Sequence, residues 1–343
     1  MSRFPITLIG GGIAGLSLGI GLRRAGVETT LIEATTYPRH RVCGEFISGV
    51  SEETLRQLGV KDLLDDAEPC QETVWHDREG SFFRSILPVA AKGISRYRLD
   101  QRMATRFRDL GGILREGERF PQKEPVEEGY VYASGRPRHV TSPLLGLKGH
   151  LAAYPLDGDL EMHLGDGGYI GLSRIEDGRV NACGLFRRRP ELKTGDGTAL
   201  SAYLHACGLA DLARRIKLSS PDPTSFLGVS AFQLGFQPAP ETGGLRIGDQ
   251  FSIIGPFTGH GMSMAFQSAA LILPHLVQYV RGERSWEDVA LESSKGLRRI
   301  FQKRMVASQM IHPFLTSKSG QKVFSTLAKN GLLPFSLLYR ATR

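Results

Sequence analysis

The stretch Ile6-Thr7-Leu8-Ile9-Gly10-Gly11-Gly12-Ile13-Ala14-Gly15 decides the fold of this chain. An apolar strand leads into a GxGxxG turn, and the residues after the turn favour a helix. Gly10 allows the tight turn, Gly12 leaves room for backbone to approach a pyrophosphate, and Gly15 lets the helix pack closely on the sheet. The helix N-terminus would hold the phosphates. The stretch predicts a dinucleotide site, and a glycine-rich loop without a ligand is the alternative.

A carboxylate follows at the spacing that such a site needs. Thr29-Thr30-Leu31-Ile32 has the pattern of the second parallel strand, and it ends in Glu33. A carboxylate at this point accepts hydrogen bonds from both ribose hydroxyls and repels a 2′-phosphate. The adenosine half of the ligand is therefore predicted to be unphosphorylated, as in FAD or NAD.

A second cofactor element is predicted more than two hundred residues later. The short strand Leu245-Arg246-Ile247 leads to Gly248-Asp249, which offers a carboxylate on a tight turn. A loop rich in glycine and proline then precedes a helix predicted over 262–279. The N-terminus of such a helix stabilises negative charge, and a reduced flavin develops negative charge on its ring. This element therefore fits a flavin.

The composition is typical of a globular α/β protein. Of its 343 residues 41% are hydrophobic. Neither a signal peptide nor a membrane span is predicted, because glycines interrupt the first apolar stretch and no run of about 18 apolar residues follows. Cys43, Cys70, Cys183 and Cys207 show no CxxC spacing, so neither a zinc site nor a redox-active disulfide is predicted. The expectation is a cytoplasmic protein with reduced thiols.

The net charge of +8 is unevenly distributed along the chain. From Lys295 to Arg343 there are ten Lys or Arg and no Asp or Glu, and apolar residues are interleaved with these cations. One interpretation is an amphipathic surface that contacts an anionic membrane or admits a lipidic substrate. The other is a set of helices packed on the protein's own body. Nucleic acid is not predicted as a partner, because no recognised binding motif accompanies the charge.

The middle of the sequence has a different periodicity. Runs at 160–164, 169–173 and 179–185 alternate in polarity and are separated by glycine-containing turns, which predicts antiparallel strands. We expect this sheet to form the floor of a substrate pocket that faces the flavin. A single helix is predicted over 198–217.

Together these motifs resemble the FAD-dependent oxidoreductases of the para-hydroxybenzoate hydroxylase fold, and within them the geranylgeranyl reductase-like branch. Arg41-Val42-Cys43-Gly44 stands where that branch carries a Cys-Gly segment beside the isoalloxazine, and Arg96-Tyr97-Arg98-Leu99 is similar to a family pattern close to the FAD. The resemblance implies that Gly248-Asp249 binds the ribityl chain and phosphate. It also implies an α/β fold with a Rossmann-like FAD-binding domain, an inserted antiparallel β-sheet substrate domain and a C-terminal helical tail.

The implied domains are discontinuous. The FAD-binding domain would comprise residues 1–65, 94–135 and 224–285, the substrate domain residues 66–93 and 136–223, and the helical segment residues 286–343. The predicted cofactor-binding residues are Gly10, Gly12, Ile13, Ala14, Gly15, Glu33, Ala34, Arg41, Cys43, Gly44, Arg96, Gly248, Asp249, Pro256, Gly259, Gly261 and Met262.

The candidate catalytic residues are few, because the isoalloxazine itself carries out flavin chemistry. Cys43 lies near the ring by resemblance, and its alternative role is that of a buried packing thiol. His260, between two glycines at a helix start, could donate to the flavin or to substrate. Lys148 and His163 lie on presumed strands, and we interpret them as structural.

Two departures from the family matter for function. Ser134 stands where the family usually has an acid that contributes to nicotinamide handling. No second GxGxxG within a βαβ unit predicts a separate NAD(P)H domain, so any NAD(P)H, the predicted electron donor, would bind transiently near the flavin. The chain also lacks the Trp-x-Trp-x-Ile-Pro motif of flavin halogenases, having only Trp75 and Trp286, so halogenation is not predicted.

The resemblance and the apolar, basic tail favour one function among three. The favoured prediction is a FAD-dependent oxidoreductase that reduces carbon–carbon double bonds of an isoprenoid-like or lipidic substrate. The first alternative is a FAD-dependent monooxygenase that hydroxylates an aromatic or polyketide substrate, since one fold hosts both reactions. The second alternative is a non-catalytic, FAD-containing protein that binds the membrane surface.

Overall fold

The computed structural model describes residues 5–121, 128–136, 142–192, 198–230, 232–238 and 244–343. The strands in these ranges are β1 Ile6–Ile9, β2 Thr29–Glu33, β3 Phe46–Ile47, β4 Glu68–His76, β5 Ser81–Gly93, β6 Ile113–Glu116, β7 Tyr130–Tyr132, β8 Leu144–Leu151, β9 Leu160–Gly165, β10 Gly168–Arg174, β11 Val180–Arg187, β12 Pro221–Ser230, β13 Gly235–Phe236, β14 Leu245–Arg246 and β15 Ser252–Ile253. The α-helices are α1 Ile13–Arg24, α2 Glu52–Leu58, α3 Arg96–Asp109, α4 Ala199–Ala206, α5 Ala210–Leu218, α6 Gly261–Val280, α7 Trp286–Thr316, α8 Lys318–Lys329 and α9 Phe335–Ala341.

A parallel sheet forms the first layer, with strand order β14-β7-β1-β2-β6. The predicted strand–turn–helix at the N-terminus is confirmed as β1 and α1. Gly10 has φ +109°, a conformation that L side chains rarely adopt. A Cβ on Gly15 would lie 2.0 Å from the carbonyl oxygen of Gly10, so α1 can pack on the turn only without a side chain there.

An eight-stranded sheet forms the second layer, with order β12-β8-β11-β10-β9-β4-β5-β3. The predicted strands at 160–164, 169–173 and 179–185 are confirmed as β9, β10 and β11, which pair antiparallel. The pairing of β4 with β9 is parallel and joins two antiparallel portions of this sheet. Strand β12 crosses the predicted domain boundary at residue 223, because it continues its pairing with β8 as far as Ser230.

The prediction of a single helix over 198–217 is wrong. The structure has α4 and α5 instead, separated at Gly208, which has φ +78°. A glycine in this left-handed conformation ends a helix and turns the chain. The second helix therefore packs beside the first over the same sheet rather than extending it.

The basic tail forms α7, α8 and α9, and these helices pack on the body of the protein. Phe301 and Met305 of α7 belong to the core around the parallel sheet. Leu315 and Phe324 join a second apolar cluster with Trp75 of the eight-stranded sheet. This packing agrees with the second interpretation of the tail. None of the helices in the described ranges has the length and apolar character that crossing a bilayer requires.

Candidate active site

One cavity of about 600 Å³ lies between the two sheets and the tail. Its wall includes residues from the N-terminal motif, such as Gly10 and Gly12, and residues from the distant second element, such as Gly248 and Gly261. The two elements that the sequence separates by more than two hundred residues therefore face a single space. Clefts of this size commonly hold cofactors or small ligands.

The nucleotide end of the cavity is formed by the N-terminus of α1 and by Glu33. No side chain caps the first turn of α1, and Gly12, Ile13 and Ala14 at this helix start line the cavity. A Cβ on Gly12 would meet nothing closer than Nη2 of Arg96 at 3.7 Å. This open space beside a helix N-terminus is the arrangement that receives a pyrophosphate.

Glu33 is held as an anion at the end of β2. Its carboxylate accepts a hydrogen bond from the backbone N–H of Gly11 at 2.7 Å and lies 3.1 Å from the guanidinium of Arg39. Burial opposes its ionisation, but Arg39, Gly11 and Arg41 outweigh burial and lower the pKa of Glu33. A charged acceptor is therefore present where a ribose would lie.

The second element forms a tight turn next to the parallel sheet. Gly248 has φ +58°, and its N–H donates to the Ser268 hydroxyl at 3.2 Å. Asp249 lines the cavity, and burial raises its pKa against the opposing effect of Arg136 and Arg96. Burial therefore disfavours the ionised form of this carboxyl group, which faces the cavity.

Ser134 links the two cofactor elements. Its hydroxyl accepts a hydrogen bond from the Gln250 side-chain amide at 2.8 Å, and it also lines the cavity. The residue that departs from the family pattern thus joins the end of β7 to the turn at 248–250.

The N-terminus of α6 is aimed at the same cavity. Gly259 has φ +67°, Gly261 begins the helix without a side-chain cap, and both glycines line the wall with Pro256 and Met262. A Cβ on Gly261 would have no neighbouring atom within 4 Å, so the helix start is open to a ligand. Partial positive charge is therefore directed into the cavity.

The Cys43-Gly44 segment lies along the opposite wall. The backbone carbonyl of Cys43 accepts a hydrogen bond from the Asn181 side chain at 3.1 Å, and the carbonyl of Gly44 accepts one from the Ser173 hydroxyl at 3.3 Å. Burial raises the pKa of the Cys43 thiol, so the side chain is a protonated thiol at neutral pH rather than a nucleophilic thiolate.

His260 is not placed where the catalytic prediction needs it. Its neighbours Gly259 and Gly261 line the cavity, but its own ring is 1% exposed and packs against Gly49, with Tyr339 at 5.9 Å between ring centroids. Burial and Arg304 lower its pKa to about 3, so the ring is neutral. The sequence does not determine whether a histidine at a helix start faces the cavity or the protein core. Here the ring is placed by its packing against Gly49 and Tyr339.

Lys148 and His163, which we interpreted as structural, each contact a buried carboxylate. Lys148 is fully buried and donates to the Glu45 carboxylate. His163 hydrogen-bonds Glu161 at 2.8 Å on the face of the sheet that alternates with cavity-lining Met162. Neither Lys148 nor His163 lines the cavity, as far as the described residues show.

Beyond the cofactor elements the cavity continues into an apolar chamber. The sequence predicted only the sheet that forms the floor of this chamber. Its side chains come from the eight-stranded sheet, from the segment between β12 and α6 and from all three tail helices. They are Phe46, Trp75, Leu87, Leu160, Met162, Tyr169, Leu185, Val229, Phe232, Ile253, Phe257, Ile311, Leu315, Phe324, Phe335, Leu338 and Tyr339. The interleaving of apolar residues in the tail was the available signal for its roof.

Fifteen of the seventeen predicted cofactor-binding residues line this cavity. The exceptions are Gly15, which serves the packing of α1, and Ala34, which lies past the end of β2. The residues present fit FAD: two uncapped helix N-termini, an ionised Glu33 and open glycine positions share one cavity. The binding role of each residue stays a prediction.

Comparison with known proteins agrees with the cofactor assignment. Residues 3–85 match the protein family described as FAD binding domain. A stretch of 66 residues is 35% identical to Conditioned medium factor receptor 1 of Dictyostelium discoideum, and it covers 19% of this chain and 13% of that protein. The chain therefore spans only a small part of that relative.

Solved structures match over nearly the whole chain. The flavin-dependent brominase Bmp2 is 16% identical, with a TM-score of 0.76, over 99% of this chain and 93% of that one. Klebsiella pneumoniae HpxO complexed with FAD and uric acid is 16% identical, with a TM-score of 0.72, over 98% of both chains. PqsL, a probable FAD-dependent monooxygenase from Pseudomonas aeruginosa, is 15% identical, with a TM-score of 0.69, over 93% and 98%. These matches confirm the predicted α/β fold.

Proposed function

We propose that this protein is a FAD-dependent monooxygenase that acts on an apolar, aromatic-sized organic substrate. The observation that carries the proposal is the single cavity in which polar cofactor elements open directly into an apolar chamber. The similarity to PqsL, a probable FAD-dependent monooxygenase, supports oxygen chemistry over the carbon–carbon double-bond reduction that the sequence analysis favours. The geranylgeranyl reductase-like branch gains no support from these relatives.

The residues of the chain would position the reactants and exclude water. Bound FAD supplies the redox and oxygen chemistry, so no acid–base triad is needed. The N-terminus of α6 offers partial positive charge to the ring, and Glu33 and Asp249 hold the remainder of the cofactor. The tail helices roof the chamber with side chains such as Leu315 and Phe324, which keeps water from the reacting atoms.

Reduction of a double bond remains the second candidate, and one observation favours it. Addition of hydride to an alkene also requires a proton, and Cys43 is a cavity-lining thiol that its raised pKa keeps protonated. NAD(P)H is the electron donor that we propose for either reaction. Because the sequence has no second GxGxxG within a βαβ unit, we expect the nicotinamide to bind briefly beside the flavin.

The purified protein tests these functions directly. It should be yellow and release FAD on denaturation. With NAD(P)H, oxygen and a panel of phenolic, polyketide and isoprenoid compounds, a product heavier by one oxygen supports monooxygenation, and one heavier by two hydrogens supports reduction. Bound FAD without turnover of any compound would favour the non-catalytic alternative, and protein that cannot be loaded with FAD would overturn all three functions.

We also propose that the tail contacts anionic membranes. Val306, Met310 and Phe314 follow one face of α7 at a spacing of four residues and are 50%, 69% and 45% exposed. Arg299 and Lys303 precede them on that face and have no ion pair among the described residues. An apolar stripe beside unpaired cations suits an interface with acidic lipids. The cytoplasmic location stays a prediction.

A further inference from the structure

We propose that Glu45, Lys148 and His150 form a buried positioning triad that holds the Cys43-Gly44 segment against the flavin ring. The inference rests on the proposed binding of FAD. It assigns a role to charged residues that lie outside the cavity wall and that the resemblance did not single out.

The three side chains form a closed set of contacts. Each of them is 0% exposed. Lys148 Nζ donates to Glu45 Oε1, His150 Nε2 lies 2.6 Å from Glu45 Oε2, and the backbone N–H of Arg96 donates to Oε1 at 2.9 Å. Both carboxylate oxygens therefore have a hydrogen-bonding partner. Strand β8 and helix α3 together hold Glu45, the residue that follows Gly44.

The backbone of Glu45 shows what these contacts achieve. Its φ of +53° is one that a residue with a side chain rarely adopts, so surrounding contacts must impose it. The backbone carbonyl of Glu45 accepts a hydrogen bond from the N–H of Ile94 at 3.1 Å. The turn that results leaves Gly44 open: a Cβ there would have no neighbour within 4 Å, and the segment faces the cavity.

The charges are better explained by positioning than by stability. Burial opposes ionisation of Glu45, but Lys148 and His150 hold its pKa at about 2, so the Glu45 carboxylate stays ionised at neutral pH. A buried ion pair often stabilises a fold no more than apolar residues of similar volume, although loss of one partner alone is costly. A buried charge pair that fixes a strained turn at the cofactor wall indicates a positioning role.

A double-variant experiment separates positioning from stability. Lys148→Met and Glu45→Gln each leave a buried polar group without its partner, and both should lower the thermal unfolding temperature of the apoprotein. In the combined Glu45→Gln/Lys148→Met protein, the unfolding temperature should return most of the way to that of wild type. It should nevertheless bind FAD at least about tenfold more weakly than wild type and show a shifted visible flavin spectrum.

The control is a buried pair on the far face of the same sheet. Glu161→Gln breaks the contact with His163 and should lower the unfolding temperature without changing FAD affinity or spectrum. Should the triad variants not fold, Lys148→Arg and Asn181→Ala, which disturb the turn more mildly, should still weaken FAD binding and shift the spectrum.

Two outcomes overturn the inference alone: a combined variant that recovers FAD affinity and spectrum together with stability, or milder variants with wild-type affinity and spectrum. Wild-type protein that binds no FAD overturns the proposed function and the inference with it. The FAD content of wild type therefore distinguishes the two failures.

Discussion

The two ends of the cavity are built in different ways. At the cofactor end, short contiguous motifs supply backbone N–H groups and charged side chains such as Glu33, Arg96 and Asp249. At the substrate end, apolar side chains from the eight-stranded sheet, from the segment before α6 and from three tail helices meet. The cofactor end depends on local backbone geometry, whereas the substrate end depends on packing between distant segments.

This difference predicts that a single substitution can affect one end of the cavity without affecting the other. A change in a motif should remove the cofactor and leave the fold intact. A change in the chamber should cost stability and substrate binding and leave FAD affinity unchanged.

The largest effect is expected for Gly12→Val. Its added side chain enters open space at the N-terminus of α1, where the pyrophosphate would lie, and the backbone of Gly12 is extended at φ −85°. FAD affinity, measured by quenching of flavin fluorescence, should fall at least about a hundredfold. The apoprotein should unfold within a degree of wild type. Unchanged FAD affinity would show that the pyrophosphate lies elsewhere.

The opposite behaviour is expected for Phe324→Ala. The Phe324 ring is 6% exposed and lies 5.2 Å from the Trp75 ring. Its removal should lower the free energy of unfolding by about 3–5 kcal/mol, measured with urea, because a cavity is left in a packed cluster. FAD affinity of the folded protein should match that of wild type. A marked loss of FAD affinity would mean that the two ends are not separable.

An intermediate effect is expected at the membrane surface. Met310→Asp/Phe314→Asp should reduce sedimentation with phosphatidylglycerol-containing vesicles several-fold, because the charges oppose burial in lipid. Leu218→Asp is the matched control, since Leu218 is 78% exposed but lies on α5, outside the basic tail. Equal sedimentation of the wild type and both variants would return the tail to a purely structural role.

The smallest effect is expected for Glu33→Gln and concerns the stability of the apoprotein at acidic pH. Because the pKa of Glu33 is lowered by folding, its ionised form adds stability above the ordinary pKa of 4.5, and this stability is lost as the pH falls through the folded pKa. In Glu33→Gln this contribution is missing. The unfolding temperatures of wild-type and variant apoprotein should therefore differ at pH 7 and converge on acidification below about pH 4.5. A difference that does not depend on pH would contradict an ionised Glu33.

The local structure of the cofactor half could be predicted from the sequence. The turns at 10–15 and 248–249 and the position of Glu33 at the end of β2 depend on φ, on a helix N-terminus and on one carboxylate, which are properties of local sequence. The binding roles of these residues stay predictions. The same reasoning identified the three strands β9 to β11. It wrongly predicted one continuous helix through Gly208, whose left-handed conformation divides the segment into two helices.

The substrate half and the contacts of individual side chains could not be predicted, because they depend on tertiary packing. That His260 packs against Gly49 outside the described cavity wall, that the tail roofs the chamber, and that Lys148 and His150 meet Glu45 all depend on packing between segments about a hundred or more residues apart. Apolar periodicity indicates that a face is buried, but it does not indicate which partner covers it. For this reason the sequence identified the cofactor, whereas the chamber that selects the substrate became visible only in the folded chain.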